Sequence, residues 1–171
     1  GRYYDSDEYD SHNDNKGISG ILYNASRKIM FRKKLRLIRN ATELNYGKLL
    51  DIGSGSGHFL AGMKNAGWDT TGIEINEKAR KQSASNFGLE VLEPHLISTL
   101  GQESFDCITL WHVLEHFHDP FTYTNEIKRL LKPGGVCSVA LPNCSSYDAL
   151  HYGPYWAAYD VPRHLWHFNS N

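Results

Sequence analysis

Leu49-Leu50-Asp51-Ile52-Gly53-Ser54-Gly55-Ser56-Gly57 is the stretch on which the reading of the whole chain turns. Its apolar start predicts a buried strand, and glycine at every second position afterwards predicts a turn whose backbone takes positive φ. A helix opening at His58 follows. Its free N–H groups make the turn a place where a ligand would lie over the end of a strand.

A dinucleotide fingerprint needs G-x-G-x-x-G, and His58 stands where the third glycine would be, which weakens a nicotinamide reading. No Gly-Lys-Ser or Gly-Lys-Thr follows the turn, so a nucleoside-triphosphate loop is weaker still.

Outward from the turn, strands alternate with helices. His58 to Ala66 reads as a helix stopped by Gly67, and Thr70 to Ile75 as a strand. Asn76 caps a helix through Phe87, with Gly88 beyond it, and Glu90 to Leu92 is a short strand. Phe105 to Trp111 is a further strand. Asp119-Pro120 starts a helix whose apolar face is Ile127, Leu130 and Leu131, ended by Lys132-Pro133-Gly134-Gly135. Val136 to Leu141 is the fifth strand, stopped by Pro142-Asn143. Five alternations predict an α/β fold: a parallel sheet with helices on both faces.

Before the turn, Ile18, Ile21, Leu22, Ala25, Ile29 and Met30 recur at helical steps within a helix predicted from Ile18 to Ile38. Residues 16 to 40 hold eight basic groups and no acidic one, whereas residues 1 to 15 are acidic. The basic side chains form either a solvated helix face or a rim that attracts an anionic substrate or partner. From Cys144 to Asn171 the chain is rich in aromatics and histidines without periodicity, and is expected to pack as a loop over a binding face.

At 171 residues the chain suits one domain with a sizeable core. With 18 Lys plus Arg against 19 Asp plus Glu, the formal net charge is -1, which gives no electrostatic reason to expect nucleic acid as a partner. Cys107, Cys137 and Cys144 are odd in number, which argues against a disulfide framework and for a reducing, cytoplasmic setting. No signal-like start is present, and no apolar run approaches the ~20 residues of a membrane span. No metal is expected, since no two Cys or His lie at ligand-like spacing with a third soft partner.

Four stretches, in order, resemble the class I S-adenosylmethionine-dependent methyltransferases. Leu49 to Gly57 resembles their first motif, and Gly72-Ile73-Glu74-Ile75 the acidic end of their second strand. Phe105 to His116, FDCITLWHVLEH, resembles the fourth strand and its loop, and Leu130 to Leu141, LLKPGGVCSVAL, the fifth. Tyr3-Tyr4, Tyr9 with His12, and Asp160 to Phe168 resemble stretches of a broad subset that includes relatives of ubiquinone-biosynthesis O-methyltransferases.

The resemblance implies a Rossmann-like cofactor core over residues 48–143, preceded by the polar segment and basic helix of 1–47 and followed by an acceptor-side segment over 144–171. It implies S-adenosylmethionine as cofactor, S-adenosylhomocysteine as product, and a small-molecule acceptor. Gly53, Ser54, Gly55 and Gly57 would form the cofactor's floor, Asp51 would support its ammonium, Glu74 would take its ribose hydroxyls, and Ile75 would pack on adenine. Trp111 and His112 would lie beside it. His112 is then either a positioning group or a base, and His164 a second base candidate. Arg163 would hold an anionic acceptor, and His116 and His167 would face it. A non-catalytic cofactor-binding module is the alternative to an enzyme.

The family sheet has seven strands, and five are counted here before Asn171. The expectation is a piece of a longer chain, lacking the last two strands and leaving the fifth exposed. Seven strands within these residues would refute that.

Overall fold

In a computed structural model the described residues are 18–170. Helix α1, Ile18–Thr42, comes first. Its end lies past Ile38 because the Thr42 hydroxyl donates to the Ile38 carbonyl at 2.8 Å and accepts from Leu44 N at 3.2 Å. The apolar face differs from the expected one. Leu22, Ala25, Ile29 and Met30 are exposed, while Phe31, Leu35 and Ile38 make the covered face, a separate ladder of three- and four-residue steps. Tyr3, Tyr4, Tyr9 and His12 lie outside the described residues.

The following unit, residues 46–170 as described, holds a five-stranded sheet. Its strands are β1 Lys48–Ile52, β2 Asp69–Ile73, β3 Val91–Leu92, β4 Phe105–Trp111 and β5 Leu131–Ala140. Between them run α2 His58–Asn65, α3 Glu77–Phe87 and α4 Pro120–Leu130. Every pairing is parallel and the order is β3-β2-β1-β4-β5. Neighbouring strand residues point to opposite faces. Leu49 and Leu50 are both fully buried, as are Cys107 and Ile108, so both faces of the sheet are covered.

Chain order reverses between β1 and β4: β2 and β3 lie to one side, β5 to the other. That is the switch point at which open α/β sheets hold ligands, outside the carboxyl ends of the strands. The core beneath it is Leu50, Ile52, Ile73, Ile97, Phe105, Ile108, Leu110, Ile127 and Leu130.

Several local signals work as expected. The Asn76 side chain accepts from Ala79 N, and Gly88 ends α3 in the left-handed region. Asp119 caps α4 by accepting from Phe121 N and Thr122 N, with Pro120 at its first turn. Residues 94–99 form a 3-10 turn.

Two departures stand out. First, β5 starts at Leu131 and runs through Pro133-Gly134-Gly135, which were expected to be a stop. The register against β4 shifts between Phe105 and Cys107, and such an irregularity on an edge strand tolerates proline's missing N–H. Second, the aromatic segment is not without helix: α5, Tyr147–Tyr152, is capped by Ser146, whose hydroxyl accepts from Ala149 N. Five strands are present among the described residues, β5 is an edge, and its Val139 is exposed.

Candidate functional site

The three glycines of the turn all have positive φ, yet they face different surroundings. A Cβ on Gly53 would stand 2.3 Å from Val113 Cγ2, and one on Gly57 would stand 2.1 Å from Ser83 Oγ. Their bareness lets the turn pack against the post-β4 loop and α3. At Gly55 a Cβ would meet nothing within 4 Å. Of the three, Gly55 is the one with open space where a side chain would stand.

Glu74 follows β2 and closes one side of this turn. Its Oε2 accepts from Gly55 N and its Oε1 from Asn76 N, both at 2.8 Å. An ionised carboxylate has about four acceptor positions, so two remain for hydroxyl groups. Ile75, beside it, is 65% exposed, an apolar surface suited to a flat ring. Ser54 is buried against Gly72, and its hydroxyl has no hydrogen-bond partner.

Asp51 is buried within β1, and its Oδ1 accepts from Thr109 Oγ1 of β4 at 2.6 Å. The carboxylate thus ties the two strands that flank the switch point. Thr109 was not picked out by sequence reasoning, because a threonine inside an apolar strand reads as an ordinary strand former.

Trp111 ends β4 and packs edge-to-face on Phe59, with ring centroids 5.5 Å apart. His112 comes next, with φ +59° and a side chain 64% exposed. A non-glycine residue in the left-handed region is a strained feature that clusters at functional sites. The His112 amide is held by Ala140 O at 3.0 Å, and its Nδ1 lies 3.6 Å from Glu115 Oε1.

The segment after Asp160 folds back onto this loop. Leu165 N and Trp166 N donate to the Glu115 carbonyl at 2.8 and 3.3 Å, and Trp166 Nε1 donates to Phe117 O at 2.8 Å. His116 and His164 are brought ring to ring, 4.7 Å apart, beside the Glu115 side chain. The other two candidates on the segment are turned elsewhere. Arg163 forms an ion pair with Asp160 at 2.7 Å, and His167 Nε2 lies 3.1 Å from Tyr159 O. The expectation of no metal-like grouping rested on spacing along the chain. Folding gathers Glu115, His116 and His164, with one ligand-type atom of each within 4.8 Å of the others.

A glycine turn at the switch point, a carboxylate at the next strand end and a histidine loop after β4 are thus assembled at one sheet edge. Residues 23–171 match the family described as a methyltransferase domain. The chain belongs to that methyltransferase family.

Within it, the chain is 32% identical over 130 residues to the ubiquinone biosynthesis O-methyltransferase of Cereibacter sphaeroides, covering 70% of this chain and 52% of that protein. The enzyme of the same name from Thiobacillus denitrificans is 30% identical over 109 residues, covering 60% of this chain and 47% of the relative. The chain thus spans about half the length of the curated relatives it matches. Among solved structures, a SAM-dependent methyltransferase from Archaeoglobus fulgidus superposes with a TM-score of 0.66 at 22% identity, covering 84% of this chain and 63% of that one. This methyltransferase-family chain thus shares the α/β fold of that structure. Among the described residues no helix is long and apolar enough to cross a membrane.

Proposed function

We propose that this chain binds S-adenosylmethionine over the carboxyl ends of β1, β2 and β4 and directs methyl transfer to a hydroxyl of a small molecule. The observation that carries the reading is the open Gly55 turn with the Glu74 carboxylate fixed at its lip. Glu74 would hold the ribose hydroxyls, Ile75 would cover the adenine, and Gly55 would admit the cofactor close to the backbone. When bound, the cofactor supplies a methyl group made electrophilic by its sulfonium, with the C–S electron pair leaving to sulfur.

The chain's own contribution is position and a proton acceptor. An acceptor hydroxyl gives its lone pair to the methyl carbon and its proton to His112, whose exposed ring sits at the end of β4. An oxygen acceptor is favoured because the relatives are named O-methyltransferases, and because a hydroxyl benefits from a base. Arg163 is engaged by Asp160, which speaks against its serving as an anion clamp.

The test is release of S-adenosylhomocysteine with a panel of phenolic and alcoholic acceptors. His112→Asn should lower turnover by about 10²–10⁴-fold, the usual contribution of a general base, with cofactor affinity kept. Unchanged turnover excludes the base role. Absence of product with every acceptor from a cofactor-binding chain would favour a non-catalytic module.

A further inference from the structure

Glu115 is fully buried, and neither carboxylate oxygen has a hydrogen-bond partner. Burying a carboxyl group without hydrogen-bond partners is costly, and a cation is a partner that would satisfy both oxygens. His112 Nδ1 at 3.6 Å is too distant for a hydrogen bond.

The two rings beside it are oriented in a specific way. His116 Nδ1 lies 3.0 Å from Arg163 O, and His164 Nδ1 lies 2.8 Å from Ala158 O. A carbonyl oxygen only accepts, so each Nδ1 carries the hydrogen, and in the neutral ring Nε2 then bears the lone pair. A ring nitrogen that donates to a backbone carbonyl fixes the tautomer and the orientation of the imidazole, as it does in metal-ligating histidines. The Asp160 carboxylate, 3.8 Å from His164 Nε2, also takes the Arg163 guanidinium.

We propose that Glu115, His116 and His164 form a binding site for one divalent transition-metal ion of the zinc class, which fastens segment 160–168 to the turn after β4. Two imidazoles and one carboxylate suit such an ion better than magnesium or calcium, which take mostly oxygen ligands. Three protein ligands leave a fourth position open. Metal bonds of about 2.1 Å place tetrahedral ligand atoms about 3.4 Å apart, so the group, now within 4.8 Å, would draw together by up to about 1.4 Å on binding. Two ligands come from the turn and one from the returning segment. The metal would therefore reinforce the backbone bonds from Leu165 and Trp166 to Glu115. The proposal does not rest on the methyl-transfer reading.

The test is calorimetric titration of the chelator-treated chain with zinc chloride, together with the visible absorption of its cobalt(II) form. The expected result is one zinc per chain, no comparable binding of magnesium, and a cobalt spectrum that disappears in His164→Ala. That variant should weaken zinc by more than about tenfold, the cost of losing even an outer-shell partner. His167→Ala, on the same segment but turned to Tyr159, should bind zinc like the unaltered chain and so accounts for adventitious surface histidines. No zinc binding by the unaltered chain overturns the proposal without recourse to any variant. Equal zinc binding in His164→Ala and Glu115→Gln, or magnesium bound more tightly than zinc, also overturns it.

Discussion

Gly57→Ala separates a packing glycine from a ligand-facing one. Gly57 has φ +81° and is the N-cap of α2, the helix that buries Leu60 and Met63. A left-handed backbone costs a residue with a Cβ about 1–2 kcal/mol. The new methyl would also stand 2.1 Å from Ser83 Oγ and 2.8 Å from Leu89 Cδ1, and overpacking of that kind costs about 1–3 kcal/mol. The combined loss is about 2–5 kcal/mol, read as a lower urea midpoint at unchanged slope. Ser83→Ala alone should cost little, because the buried hydroxyl it removes has no partner. Combined with Gly57→Ala, it should restore about 1 kcal/mol, a coupling expected only of groups in contact. Gly55→Ala, with φ +54° but open space around its Cβ, should lose only the backbone share, about 1–2 kcal/mol, while weakening the cofactor. Equal destabilisation by the two alanines, or additive behaviour of Gly57→Ala and Ser83→Ala, would refute this division of roles.

Two further outcomes concern the sheet. Asp106 accepts from Lys48 N and Lys132 Nζ, both at 2.7 Å, linking the starts of β1 and β5. Burial pushes its carboxyl pKa up, but the Lys132 ammonium and the Lys48 amide outweigh that and hold it below the usual value. Its stabilisation is thus present above the unfolded pKa and lost as pH falls through the folded one. Asp106→Asn should cost about 1–3 kcal/mol at pH 7, with the gap to the unaltered chain closing below about pH 4 in denaturation curves. For Cys107, burial first, and then the nearby Cys137, Asp51 and Asp106, pushes the thiol up to about 12. A thiol-reactive dye at pH 8 should leave Cys107 unlabelled in the folded chain and label it after denaturation. Labelling at the rate of a free thiol without denaturation would contradict the packing of β4.

How far the sequence carried depended on whether the cause was local. Phe105–Trp111 is legible with its observed bounds because a run of apolar and β-branched residues needs no distant partner to be a buried strand. Asn76 and Gly88 likewise act on their own helix. The start of β5 is not legible in the sequence, because its first residues are strand only by pairing with β4 across a register shift. α5 has just six residues, too few for periodicity, and its one local signal was the Ser146 cap. The glycine turn was legible as a turn, but Gly53 and Gly57 serve Val113 and Ser83, residues far along the chain. The grouping of Glu115 and His116 with His164 had no sequence signal at all, since it depends on the return of the segment after Asp160.

The central claim is a cofactor site built from the Gly55 turn and Glu74, and calorimetry with S-adenosylhomocysteine tests it most directly. One ligand should bind per chain, NAD should give no heat, and Glu74→Ala should weaken binding by about 10–100-fold, as the loss of charge-assisted hydrogen bonds predicts. Heat with NAD, or none with S-adenosylhomocysteine from a chain whose circular dichroism shows it folded, would contradict the account.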